Sequence, residues 1–180
     1  HDALPILIKW INMFYREIRS QPVLKSKVII FLYRLSSLFF SQSRNPLKYI
    51  FIIFVFSYYC VVEFLWGIEI KPKTKIGWGI KIFHPNSIII NPGAVLGSGV
   101  ILRHGVTIGN KYNKKTGRET KCPIIKDNVE FGAYACVIGE IVVGEDSIIG
   151  AMSYVDFDVE AYSIISSHRG IVLKIGRAHV

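Results

Sequence analysis

The chain has 180 residues, 51% of them hydrophobic and 19% charged, which excludes disorder from low hydrophobicity and high charge and leaves one domain, or a domain with a small extension. Lys and Arg outnumber Asp and Glu by 22 to 13, a net charge of +9 that bears on anionic partners and not on fold. Three cysteines, at 60, 122 and 136, are too widely spaced for a disulfide framework or a CxxC metal site, so a cytoplasmic protein is expected.

Fifteen of the 23 aromatic residues lie in positions 1–68, whereas fourteen of the 15 glycines come later. Two architectures are therefore expected to join near Gly67–Pro72, with residues 1–67 helical. Gln21-Pro22 and Asn45-Pro46 punctuate that segment. Asn before Pro suits a helix start, because Asn caps free N–H groups and Pro lacks the donor that would go unused. Helices are expected over 5–20, 23–40 and 46–65. The third contains Tyr49–Val62, an uncharged run of 14 residues between Lys48 and Glu63. A spanning helix needs about 20, so the run reads as buried against other subunits or the second half, with peripheral membrane contact as the alternative.

From Ile76 the chain repeats every six residues, through Ile82, Ile90, Leu96, Leu102 and Ile108, then Ile125, Phe131, Val137, Val143, Ile149 and Val155. A two-residue slip precedes Ile90, and an excursion at Asn110–Pro123 interrupts the register. Such a period fits neither a helix nor plain strand alternation, but it fits a chain that turns after every short strand and points one apolar residue inward per flat face. Glycine follows directly at Gly77, Gly97, Gly109, Gly132, Gly144 and Gly150, which is read as backbone freedom at the turns. Three faces per coil give about four stacked coils.

The segments INPGAVLGSGVILRHGVTIGN and CPIIKDNVEFGAYACVIGEIVVGEDSIIGAMSYV resemble the hexapeptide-repeat acyltransferases, in particular the serine acetyltransferases and the related O-acetyltransferases of capsule and exopolysaccharide synthesis. The resemblance, over about residues 66–160, implies a mainly β fold, a left-handed parallel β-helix over 68–165 behind the N-terminal α-helical segment 1–67. It also implies trimers or dimers of trimers, with acetyl-CoA as co-substrate in the groove between neighbouring prisms. Ile175–Val180 reads as a non-native extension, so 166–180 is treated as a tail outside the repeats.

Acetyl transfer to a hydroxyl needs a general base, and histidine has a suitable pKa. His1, His168 and His179 lie at the ends or beyond the repeats, which leaves His84 and His104. His84, in FHPN, matches by resemblance the catalytic histidine of the serine acetyltransferases, and Glu69, in GIEIKP, matches the acidic partner that orients it. His104 stands two residues after Leu102, as His84 does after Ile82, so it is expected on the same face one coil along, roughly 4.8 Å away. There it would touch the acceptor or be a plain surface histidine. The excursion carries five basic residues against one acid and is read as a loop that helps hold the phosphates of CoA, or as an ordinary solvated loop. The resemblance places CoA contacts at Gly109, Gly132, Ala133, Gly150 and Ala151. It implies no metal, because prismatic enzymes of similar fold use three histidine ligands and no third candidate exists.

Two departures from the serine enzymes bear on the acceptor. They carry Asp where Phe83 precedes His84, and their excursion ends in Asp-Arg-His-Pro where this chain has Thr120-Lys121-Cys122-Pro123. Lys121 is taken as an acceptor contact. The expected activity is O-acetylation of a sugar on a polysaccharide or its precursor, which the aromatic helices could meet at a membrane. Serine acetylation is the alternative, and a non-catalytic scaffold the second. Nucleic acid is not an expected partner, because the basic residues are spread over both halves without an aromatic stacking motif.

Overall fold

Apolar residues at six-residue spacing become short parallel strands stacked in three columns. The computed structural model describes residues 3–41, 46–115 and 117–167; His1, His168, His179 and Ile175–Val180 lie outside the described residues. The first column stacks β1 (Glu69–Ile70), β4 (Ile89–Ile90), β7 (Thr107–Gly109), β12 (Cys136–Ile138) and β15 (Tyr154–Val155). The second stacks β2 (Lys75–Ile76), β5 (Val95–Leu96), β10 (Ile124–Ile125) and β13 (Val142–Val143), and Val159 bridges to Val143 beyond them. The third stacks β3 (Lys81–Ile82), β6 (Ile101–Leu102), β11 (Glu130–Phe131), β14 (Ile148–Ile149) and β16 (Ile164–Ile165).

The β-helix therefore has about five coils instead of the four expected, because Ile70 opens the register before Ile76 and Val159 and Ile165 continue it past Val155. Each face also turns more than one side chain inward. Behind Ile70, Ile82, Ile90, Leu102 and Ile108, the residues two positions earlier (Ile68, Ile80, Ile88, Val100 and Val106) are buried as well. This doubled inward set makes one continuous core along the prism.

Five of the six glycines that follow the inward residues serve close approach, Gly109 being the exception. None of Gly77, Gly97, Gly132, Gly144 and Gly150 has positive φ. A Cβ on Gly132 would stand 2.3 Å from the Ala151 nitrogen, and one on Gly144 would stand 2.3 Å from the Ala161 nitrogen. The next coil's backbone occupies the space where a side chain would go, so the expectation of turn freedom at these positions is corrected.

Two long helices, α1 (Ala3–Ser20) and α2 (Leu24–Ser41), precede a stretch that changes winding twice. It runs as a 3₁₀ segment over Pro46–Phe51, as α3 over Ile52–Tyr58 and as a π turn over Tyr59–Leu65. The wide turn ends with Trp66 N–H bonded to the Val61 carbonyl and Ile68 N–H bonded to the Val62 carbonyl, which delivers the chain into β1. Among the described residues, no helix is long and apolar enough to cross a membrane.

These helices close the open edge of the first coil, where unpaired strand groups would otherwise be left. Gln21 donates to the Ile80 carbonyl and accepts from Ile82 N–H, and Ser26 donates to the Ile82 carbonyl. Tyr33 and Tyr58 hydroxyls donate to the Thr74 and Ile70 carbonyls. Arg34 donates to the Ile76 and Gly77 carbonyls, and Gly79 N–H donates to Glu17. Arg34 and Glu17 form a buried two-pronged ion pair, with N–O distances of 2.8 and 2.7 Å, and the guanidinium stacks 4.4 Å from the Trp78 ring.

Candidate active site

The turns that lead from the third column back to the first lie one above another. His84 stands two residues after Ile82 and His104 two after Leu102, and Ile82 pairs with Leu102. Ala133 and Ala151 hold the same position after Phe131 and Ile149, which also pair. Backbone bonds lock these turns in sequence: Gly105 N–H to the Asn86 carbonyl, Tyr134 N–H to the His104 carbonyl, and Met152 N–H to the Ala133 carbonyl. One corner of the prism thus presents His84, His104, Ala133 and Ala151 as a column.

The imidazoles of His84 and His104 have centroids 6.3 Å apart with planes at 79°. His84 is exposed and has φ +51°, a left-handed conformation that costs a non-glycine residue about 1–2 kcal/mol. Such strain persists only where the surroundings hold it in place. Here Pro85 is buried beneath the turn, and Lys25 Nζ, from α2, donates to Asn86 Oδ1 at 2.8 Å. The same ammonium lies 5.2 Å from the Trp66 ring, and its burial there lowers its pKa. His104 packs edge-on against the Tyr134 ring at 5.1 Å, and its Nδ1 is buried without a hydrogen-bond partner among the described residues.

Glu69 is not brought to His84. The two-residue slip pairs Glu69 with Ile89, so the carboxylate sits under a residue five positions past the histidine. Among the described residues it makes no ion pair or hydrogen bond with His84. Lys121 and Gly109 also stand apart from the histidines, at the opposite edge of the first column. Gly109 ends β7, and Lys121 is paired at 2.7 Å with Glu140 in the turn before β13. Gly132 and Gly150 belong to the histidine corner, but their missing side chains make room for the next coil.

The excursion is a two-stranded hairpin, β8 (Tyr112–Asn113) against β9 (Arg118–Glu119). Lys111 pins one side to Asp156 at 2.8 Å, and Lys121 pins the other to Glu140. Two of its five cations are thus committed to anchoring it, which leaves Lys114, Lys115 and Arg118 exposed and without ion pairs among the described residues. Those three could meet phosphates. Cys122 lies against Gly93, and burial pushes its thiol pKa up, opposite to the direction an attacking thiolate requires.

The sequence reading missed Tyr134, Lys25 and Asn86. Tyr134 was visible as the residue after Ala133 in the repeat register. The Lys25–Asn86 bond joins residues 61 apart and leaves no periodic trace. Arg103 was missed too; it pairs with Glu130 at 2.5 Å and lies 5.8 Å from the Phe83 ring, so the charge beside the histidines is internally neutralised. Among the described residues, no group of three His, Cys, Asp or Glu side chains gathers as a metal site.

Comparison with known proteins bears on this arrangement. No family model matches the chain. Serine acetyltransferase 2 of Arabidopsis thaliana is 33% identical over 113 residues, 62% of this chain and 33% of the relative. A colanic acid biosynthesis acetyltransferase of Escherichia coli, WcaB, is 36% identical over 98 residues, 54% of this chain and 58% of the relative. A solved serine acetyltransferase in complex with CoA superposes with a TM-score of 0.62 at 28% identity, covering 82% of this chain and 57% of that one. The chain shares the hexapeptide-repeat fold of the serine acetyltransferases and is similar to them in sequence over its repeats. Soybean serine acetyltransferase complexed with serine has the same fold, with a TM-score of 0.63 at 29% identity over 81% of this chain and 57% of that one. The chain spans about a third of the Arabidopsis relative and little more than half of WcaB. In this chain the histidine corner and the basic hairpin are the two features that bear on chemistry.

Proposed function

We propose that this chain is an acetyl-CoA-dependent O-acetyltransferase in which His84 is the general base. His84 takes the proton of an acceptor hydroxyl as its oxygen attacks the thioester carbonyl. The carbonyl re-forms as the bond to sulfur breaks, and the proton passes from the imidazolium to the departing thiolate, giving the acetyl ester and CoA. The observation that carries this reading is a strained, exposed histidine held at the head of a corner column whose next members are His104, Ala133 and Ala151. The column suits a narrow acyl-bearing arm, and Lys114, Lys115 and Arg118 supply charge-assisted donors for its phosphates. The turn around His84, braced by Pro85 and Lys25–Asn86, orients the imidazole in place of the carboxylate expected at Glu69.

The comparisons favour L-serine as acceptor over the sugar expected from sequence, since most of the similar proteins are serine acetyltransferases and two solved relatives are complexed with serine. A sugar hydroxyl remains as the second reading for one reason. Beside the histidines stand Phe83 and an Arg103 already paired with Glu130, which leaves little unpaired charge to grip a zwitterion, and the likeness to WcaB agrees with that. Thiol release from acetyl-CoA, measured with L-serine and with a panel of glycans, tests the reading. Serine-dependent release makes serine the acceptor and glycan-dependent release makes it a sugar. No release with any acceptor overturns the enzyme reading in favour of a scaffold.

The base and the basic hairpin lie at opposite edges of one face of the prism, so a single chain does not join them. This favours an assembly, a trimer in this reading, in which the hairpin of one copy faces the histidine corner of the next.

A further inference from the structure

The helical cap carries an apolar surface that the solenoid does not cover. On α1, Leu7, Ile8, Ile11 and Tyr15 are each at least half exposed, and at spacings of one, three and four residues they share one side of the helix. Beyond α2, Ile50, Ile53 and Phe56 are each more than three-fifths exposed. Aromatic contacts link the two groups, because Phe31 of α2 meets Phe14 at 5.8 Å and Phe54 at 6.3 Å and is itself partly exposed. An uncovered apolar patch on this scale marks a binding surface.

Charge selects the occupant. Every acidic side chain described in the cap is already committed, Glu17 to Arg34 and Glu63 to Lys71. Lys9, Arg16 and Arg19 are exposed on α1 and have no ion pair among the described residues. They occupy the side of the helix next to the Leu7–Ile11–Tyr15 stripe. A second copy pairing through this face would bring the same cations together. An anionic bilayer instead takes the apolar stripe into its headgroup boundary and the cations among its phosphates.

We propose that the N-terminal cap docks the protein peripherally on an anionic lipid surface through α1, the exposed edge of Phe31 and the 3₁₀–α3 stretch. The proposal does not depend on the acetyl-transfer reading, because docking is measured without any acceptor. Binding of the full chain to vesicles of phosphatidylcholine alone, and of phosphatidylcholine mixed with phosphatidylglycerol, tests it by co-sedimentation at low and high salt. The expected result is binding to the mixed vesicles, weakened by salt and weakened at least about tenfold by the pair Arg16→Glu and Arg19→Glu, since each surface cation contributes about 1 kcal/mol. Ile11→Ser with Phe56→Ser should also weaken it, with an unchanged melting temperature showing that these exposed positions are not needed for folding. Equal binding to both vesicle types, or no binding, overturns the proposal. So does an oligomer that Ile11→Ser with Phe56→Ser dissociates and that vesicles fail to compete away, since a second copy would then cover the face.

Discussion

His84 at φ +51° spends strain that a glycine in its place would not, and the turn repays it by fixing the imidazole at the corner. This assigns orientation to Pro85 and to the Lys25–Asn86 bond. Glu69→Gln should then lower turnover far less than the roughly 10⁴-fold seen where a carboxylate orients the base, as steady-state rates would show. Lys25→Met should lower kcat and shift the pH–rate profile, because it removes both the brace and a nearby positive charge. Tyr134→Ala should free the His104 ring and cost about 0.5–1.5 kcal/mol of edge contact, measurable by urea unfolding. His84 and His104 were legible in the sequence because they fall at the same phase of a six-residue period. Glu69 was singled out by its spacing from His84, whereas the strand register sets it beneath Ile89, with no hydrogen bond or ion pair to the histidine among the described residues.

The helical cap and the solenoid meet through buried polar contacts, and these decide the cap's stability. Arg34→Met would leave the Glu17 carboxylate buried without its partner and the Ile76 and Gly77 carbonyls without donors. A loss of about 3–5 kcal/mol in denaturant unfolding is expected. Alkaline pH should loosen the same contact. Burial raises the Tyr33 pKa to about 12 from its ordinary 10, and Tyr58 moves the same way for the same cause. A raised value in the folded state means that the stabilisation is whole below pH 10 and is lost as pH climbs from 10 towards 12. Tyr33→Phe should flatten that decline in a pH series of melting temperatures. The repeat made the strands readable from sequence, yet none of the cap's contacts was, because Gln21, Ser26, Tyr33 and Arg34 bond to solenoid backbone groups 41–61 residues away. The roles of the glycines were misread for a related reason: what crowds Gly132 is the next coil, which a local reading does not contain.

The prism has distinct ends and edges, and each carries a different feature. The cap seals the first coil, the histidine column lines one edge of the first strand column, and the basic hairpin hangs from the other. If the hairpin of one copy serves the histidine corner of its neighbour, a His84→Ala chain and a chain with Lys114→Glu and Arg118→Glu should be inactive alone. Mixed after unfolding and refolding together, they should recover activity that neither has by itself. Recovery absent from verified mixed assemblies would place both tasks within one chain. The central claim is that His84 is the base that passes the acetyl group to a hydroxyl. The most direct measurement of it is acceptor-dependent thiol release from acetyl-CoA by the wild-type chain and by His84→Ala, with the variant's melting temperature and oligomeric state matched to the wild type. A base at His84 means a loss of about 10²–10⁴-fold in the variant; an unchanged rate would show that His84 is not the base.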